Sequence, residues 1–223
     1  MSQETEFLQA VQRGDAVAVR SALAESPALA SVSSEDGTSP TMLAVYSGHS
    51  DVAQAILAHE PVLSIHDGAA VGKRSAIAEA LRRDPASLNS FSSDGWTALH
   101  LAAYFNHPDL VQMLIDAGAD PQVESRNDEK VWPMQSALSN NSLASASLLI
   151  KSGASLEAPP DGNGWTALHY VASKGQVQLI NDFLMHGANI NARTRDGKTP
   201  LTIARENNQP LIANDILANG GIE

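Results

Sequence analysis

No cysteine occurs among the 223 residues, which excludes disulfides, thiolate metal sites and cysteine nucleophiles. Aromatic residues make up only 4% of the chain, and alanine and leucine carry most of its 43% hydrophobic content. Such small side chains suit helices packed close together, and their abundance argues against disorder. Basic residues are few: 14 Lys and Arg stand against 25 Asp and Glu, a formal net charge of −11. Residues 1–90 hold 6 of the basic and 11 of the acidic groups, so the negative field reads as spread along the chain. A field of that sign repels phosphate backbones and anionic lipid surfaces, and neither nucleic acid nor membrane is expected as a partner. No run approaches the roughly 20 apolar residues that cross a bilayer. The acidic opening MSQETEF has no apolar stretch behind it to act as a secretory signal. A cytoplasmic, soluble, monomeric protein is the expectation.

What the chain does have is repetition. DGWTALHLAAYFNH at 94–107 is echoed by NGWTALHYVASKGQ at 163–176. A small turn residue sits nine positions after the Thr of each copy, and that frame continues along the chain. It finds Gly14, Gly48, Gly72, Asn106, Asn141, Gly175 and Asn208, at intervals of 34, 24, 34, 35, 34 and 33. A second marker keeps the same register. Pro27, Pro61 and Pro85 follow the first three turn residues by 13, and Gly118, Gly153, Gly187 and Gly220 follow the last four by 12. The chain therefore reads as seven copies of one unit, over about 5–35, 36–61, 62–92, 93–123, 124–158, 159–193 and 194–223.

Each unit reads as two short helices joined by a tight turn. In the fourth, the Thr97 hydroxyl caps the first helix and Asn106-His107-Pro108 makes the turn. Leu110, Val111, Leu114 and Ile115 then give an apolar stripe at helical spacing. Gly118 ends the second helix by accepting a left-handed conformation, and in the first three units a proline does so by forbidding continuation. Ser39-Pro40 and Thr199-Pro200 place proline at the first helical position, where no donor is lost. A helix pair this small cannot bury both faces alone, so neighbours must stack.

A period of this length, opening on Thr-(Pro/Ala)-Leu-His-x-x-Ala and closing on GADPQVE or GANINAR, resembles the ankyrin repeat. The likeness covers the whole chain and is closest in units four, six and seven. It implies one domain over 1–223, an all-α repeat solenoid of helix-turn-helix units with a short β-hairpin projecting from each junction. It also implies that the chain binds protein partners through hairpin tips and the concave first-helix surface. One departure matters. The closing residue and the next cap are 12 to 14 residues apart elsewhere but only 2 apart from Pro61 to Leu63. No hairpin is expected between units two and three.

His100 and His169 recur on two first helices and invite a catalytic reading. Their equivalents are Met42, Gln135 and Thr202, which share no ligand or proton chemistry, so both read as scaffold that bonds the adjacent turn. The other histidines have no metal-ligand spacing. No phosphate-binding loop or nucleophile elbow occurs, and the glycine-rich DGNG at 161–164 lies in a hairpin. No catalytic residue, cofactor or metal is expected.

The candidate partner-binding residues are aromatic and basic. Trp96 stands before its cap, and Trp165 repeats it two units on. Tyr104 and Phe105 end a first helix where sister units have Ser139-Asn140, Ser173-Lys174 and Glu206-Asn207, so the pair is expected to be exposed on the concave side near Trp96. Tyr46 aligns with Tyr104, and Lys174 sits at the corresponding helix end in unit six. Arg193, Arg195 and Lys198 form a small basic cluster on the last hairpin. The charged loop ESRNDEK at 124–130 is expected to be mobile. The expected function is a non-catalytic protein–protein interaction module; the alternatives are a regulatory or chaperone-like subunit that inhibits or assembles an enzyme, and an enzyme hidden in a repeat fold.

Overall fold

A computed structural model describes residues 2–158 and 162–223. Asp161, the first residue of the DGNG stretch, lies outside them. The regular structure described consists of α-helices and two short 3-10 turns, and the α-helices number fourteen in seven successive pairs. The chain divides into two compact bodies, one up to Pro85 and one over Ala86–Glu223.

The N-terminal body holds α1 (Gln3–Arg13), α2 (Ala16–Glu25), α3 (Pro40–Tyr46), α4 (Ser50–Leu57), α5 (Ile65–Ala70) and α6 (Arg74–Arg83). α1 packs on α3 and α3 on α5, while α2 packs on α4, each one repeat away, and within the pairs α1 packs on α2, α3 on α4 and α5 on α6. Phe7, Val11, Val19, Leu23, Val52 and Ile56 fill the space between them. The C-terminal body holds α7 (Ala98–Tyr104), α8 (Pro108–Asp116), α9 (Pro133–Ser139), α10 (Leu143–Lys151), α11 (Ala167–Lys174), α12 (Val177–Met185), α13 (Pro200–Glu206) and α14 (Pro210–Ala218). First helices stack in the row α7, α9, α11, α13, and second helices in the row α8, α10, α12, α14. Leu110, Leu114, Leu149 and Phe183 are fully buried between the rows. Each such side chain contributes about 2 kcal/mol of burial.

The seven turn residues of the sequence frame all have positive φ, from 53° at Asn208 to 74° at Gly72. The first helix of each pair can reverse in two residues only through that left-handed region, which glycine and asparagine enter at least cost. Apart from α9, which follows Trp132, the first helices begin after a Ser or Thr: Ser39 accepts from the Met42 N–H at 3.0 Å and Thr199 from the Thr202 N–H at 3.3 Å. Unit three departs from the frame by one residue. Its cap is Ser64 rather than Leu63, because the Ser64 hydroxyl accepts from the Asp67 N–H and the Asp67 carboxylate accepts from the Ser64 N–H. Leucine has no side-chain oxygen to offer.

The projecting connections are tighter than strand ladders. At Ser34–Thr38, Ser92–Trp96 and Thr194–Lys198 the first N–H donates to the last carbonyl, at 3.0, 2.8 and 2.9 Å. Each of these fingers reads Ser/Thr-x-Asp-Gly-x, with a left-handed glycine and the hydroxyl donating to the aspartate. One closing bond does not make a strand, and among the described residues none is present. Between α4 and α5 residues 60–64 run directly across without a finger, as the 24-residue interval requires.

Candidate partner-binding surface

The paired histidines fix where the fingers stand. His100 has no exposed surface. Its Nδ1 accepts from the Thr97 N–H at 3.3 Å and lies 2.8 Å from the Thr97 hydroxyl. Its Nε2 therefore carries the proton and donates to the Val131 carbonyl of the next finger at 3.0 Å. His169 repeats this with Thr166 and the Lys198 carbonyl, at 3.1 Å on each side. Burial pushes His100 down to about 4 and lowers His169 as well. With both ring nitrogens engaged and the rings buried, neither histidine has an atom to offer a substrate. Gln135 makes the same two bonds in unit five: its Oε1 accepts from the Trp132 N–H at 3.2 Å, and its Nε2 donates to the Glu157 carbonyl at 3.0 Å. A glutamine amide presents the acceptor and donor that a neutral imidazole does.

Adjacent fingers are tied to each other. The Arg126 N–H donates to the Gly95 carbonyl at 2.9 Å, and the Arg195 N–H to the Asn163 carbonyl at 3.3 Å. The 124–130 loop, expected to be mobile, is held at several points. Ser125 is buried with its N–H on the Val131 carbonyl, Asn127 donates to the Asp94 carbonyl, and the Arg126 guanidinium lies 4.0 Å over the Phe91 ring. A charged sequence does not prevent anchoring when the backbone finds partners.

The aromatics fall into two groups. Trp96 and Trp165 are half-buried and tilt over the histidines of their own helices, with ring centres 5.5 and 6.2 Å apart. Tyr104 and Phe105 meet edge to face at 5.0 Å. Tyr104 is 40% exposed, whereas Phe105 is only half-open to solvent. Trp96 precedes α7 and Tyr104 ends it, about 12 Å away along the helix, so the structure does not gather them into one cluster. Tyr46 is 44% exposed at the end of α3, and Lys174 is exposed at the end of α11.

The basic cluster is largely satisfied. Lys198 pairs with Glu206 at 2.7 Å and approaches Asp196 at 3.9 Å. Arg193 donates to the carbonyls of Gly197 and Glu223. Arg195 instead lines a cleft of about 410 Å3 with Asp128, Glu129, Val131, Asn163 and Tyr170. Tyr170 packs edge to face on Trp165 at 5.2 Å, and burial together with the Glu129 charge pushes its phenol up to about 12. Sequence reasoning passed over Tyr170. The signal was there in GWTALHY, where the other copy has Leu101, but a single difference inside a repeated motif does not show which way its side chain turns.

Among the described residues no helix is long and apolar enough to cross a membrane, and no three His, Asp or Glu side chains gather as a metal site. The family described as "Ankyrin repeats (3 copies)" matches residues 65–160 and 134–223. Curated relatives include a "Transient receptor potential cation channel subfamily A member 1 homolog" of Caenorhabditis elegans, 28% identical over 82% of this chain and 15% of the relative. The "Nuclear factor NF-kappa-B p105 subunit" of Gallus gallus is 30% identical over 61% of this chain and 14% of its own length. "SH3 and multiple ankyrin repeat domains protein 2" of Homo sapiens is 30% identical over 65% and 8%. The chain thus spans a small part of each of these relatives.

Proposed function

Because the chain belongs to the ankyrin-repeat family, we propose that it is a non-catalytic protein-binding module whose partner lies across the finger turns of the C-terminal body. One observation carries this reading: three successive fingers frame the cleft beside Tyr170, with Asp128 and Glu129 on its rim. A half-buried aromatic that already packs on Trp165 can anchor an apolar side chain, and the rim carboxylates favour basic groups around it. The partner segment is therefore apolar at its centre and basic at its flanks. The varied relatives support the general role, since proteins as different as a channel homologue and a nuclear-factor subunit have a stretch similar to this chain.

The test is affinity capture from the native cell, comparing the wild-type chain with an Asp128→Lys/Glu129→Lys double variant checked for folding by circular dichroism. A protein retained by the wild type and lost by the variant supports the proposal. If both retain the same proteins in equal amounts, this surface is not the binding site.

A further inference from the structure

Charge in the N-terminal body is less even than its totals suggest. Four of the six basic residues within 1–90, namely Lys73, Arg74, Arg82 and Arg83, lie on or immediately before α6, whose one carboxylate is Glu79. Arg82 answers Glu79 at 3.1 Å, and Arg83 donates to the Leu63 carbonyl at 3.2 Å. Among the described residues no ion pair uses Lys73 or Arg74. In a chain of net charge −11 this helix is a local positive surface.

The same helix borders an open notch. Where the finger between units two and three is missing, the direct 61–63 connection and α6 enclose about 330 Å3. Pro61, Val62, Leu63 and Ala76 supply its apolar lining, with Lys73, Arg83 and the Arg82-paired Glu79 also on its wall. Val62 is 73% exposed. An exposed branched side chain flanked by cations is poorly placed for solvent and well placed for a partner that brings apolar surface and negative charge together.

We propose that this notch docks an acidic segment of a partner protein in extended conformation. Lys73 and Arg83 are about 15 Å apart along the helix rise. An extended chain covers about 13 Å in four residues, and residues two apart point to the same side. Acidic side chains at the first and fifth positions then reach Lys73-Arg74 at one end and Arg83 at the other. An apolar side chain at the third position lies on Val62 and Ala76. Arg82 neutralises Glu79, so that carboxylate does not repel the segment's centre. This surface shares no residue with the cleft beside Tyr170 and is of opposite sign, so a variant of one leaves the residues of the other unchanged.

The probe is a dye-labelled peptide, Gly-Ser-Asp-Ala-Leu-Ala-Asp-Ser-Gly, titrated with the full chain by fluorescence anisotropy. Saturable binding that weakens with added salt is expected. Lys73→Glu/Arg74→Glu and Val62→Asp should each weaken it at least about tenfold, and a peptide with serine for leucine should bind about fivefold more weakly. Should Val62→Asp fold poorly by circular dichroism, Val62→Ser reads the same contact. Absence of saturable binding overturns the proposal, as does equal affinity for the serine peptide, which would reduce the site to unspecific charge. Self-association of the wild-type chain in sedimentation, abolished by Lys73→Glu/Arg74→Glu, would also overturn it and assign the surface to a second copy.

Discussion

Acidification should loosen the C-terminal body through His100, and the loss can be separated from general acid effects by one substitution. A second proton on the buried ring must go to Nδ1, which already accepts from the Thr97 N–H. The charged form loses that bond and has no solvent, so the folded pKa is about 4 against 6.5 for the exposed residue. A folded-state pKa below the unfolded one means that the unfolded chain takes up the proton first. The associated stability is present above pH ~6.5 and is lost as pH falls towards ~4. Two and a half units correspond to about 3 kcal/mol in all, of which about 2 kcal/mol is lost between pH 7 and pH 5. His169, lowered by burial as well, adds in the same direction. Gln135 supplies the control, since it holds the equivalent two bonds without titrating. His100→Gln should cost no more than about 1.5 kcal/mol at pH 7 and should remove about 2 kcal/mol of the pH 7-to-5 loss. Urea unfolding followed by tryptophan fluorescence at pH 7, 6 and 5 reads both. Identical pH slopes for wild type and His100→Gln would show that the ring is not neutral and buried in the folded state.

Three further outcomes follow from the packing. Gly95→Ala should destabilise by more than about 2 kcal/mol in urea unfolding, because φ is +85° and a Cβ would lie 2.8 Å from the Arg126 backbone. Gly37→Ala has the same kind of φ but nothing within 4 Å, and should cost only about 1 kcal/mol. Phe183→Ala, which empties a fully buried position, should cost about 3–5 kcal/mol by the same measurement. Tyr104→Ala should change the unfolding free energy in urea little, within about 1 kcal/mol, whereas half-buried Phe105→Ala should lower it more; the reverse order would show that Tyr104 is the packed member of the pair.

Much of this architecture can be read from the chain because the turns are chemically exacting. A left-handed residue inside a helix pair favours glycine or asparagine, and that preference repeats from Gly14 to Asn208. The missing finger is equally legible, since ten absent residues cannot be replaced by packing. Other features depend on what lies across space. The Nε2 partner of His100 is a carbonyl 31 residues away, and nothing in GWTALH identifies it. The capping pair Ser64–Asp67 overrides the frame by one residue because a local hydrogen bond outweighs register. Trp96 stands only eight residues before Tyr104 in sequence, yet α7 separates it from Tyr104 and Phe105. The basic character of α6 was visible in KRSAIAEALRR but is averaged away when charge is counted over ninety residues.

Whether a protein partner lies across the fingers of the C-terminal body is read by hydrogen–deuterium exchange of the chain with and without a captured partner. Amides of residues 126–131, 162–170 and 193–198 should exchange more slowly in the complex, while those of the α8 and α12 outer faces stay unchanged. Protection confined to α8, α10 or α12, with the fingers exchanging as in the free chain, would contradict a partner on the fingers.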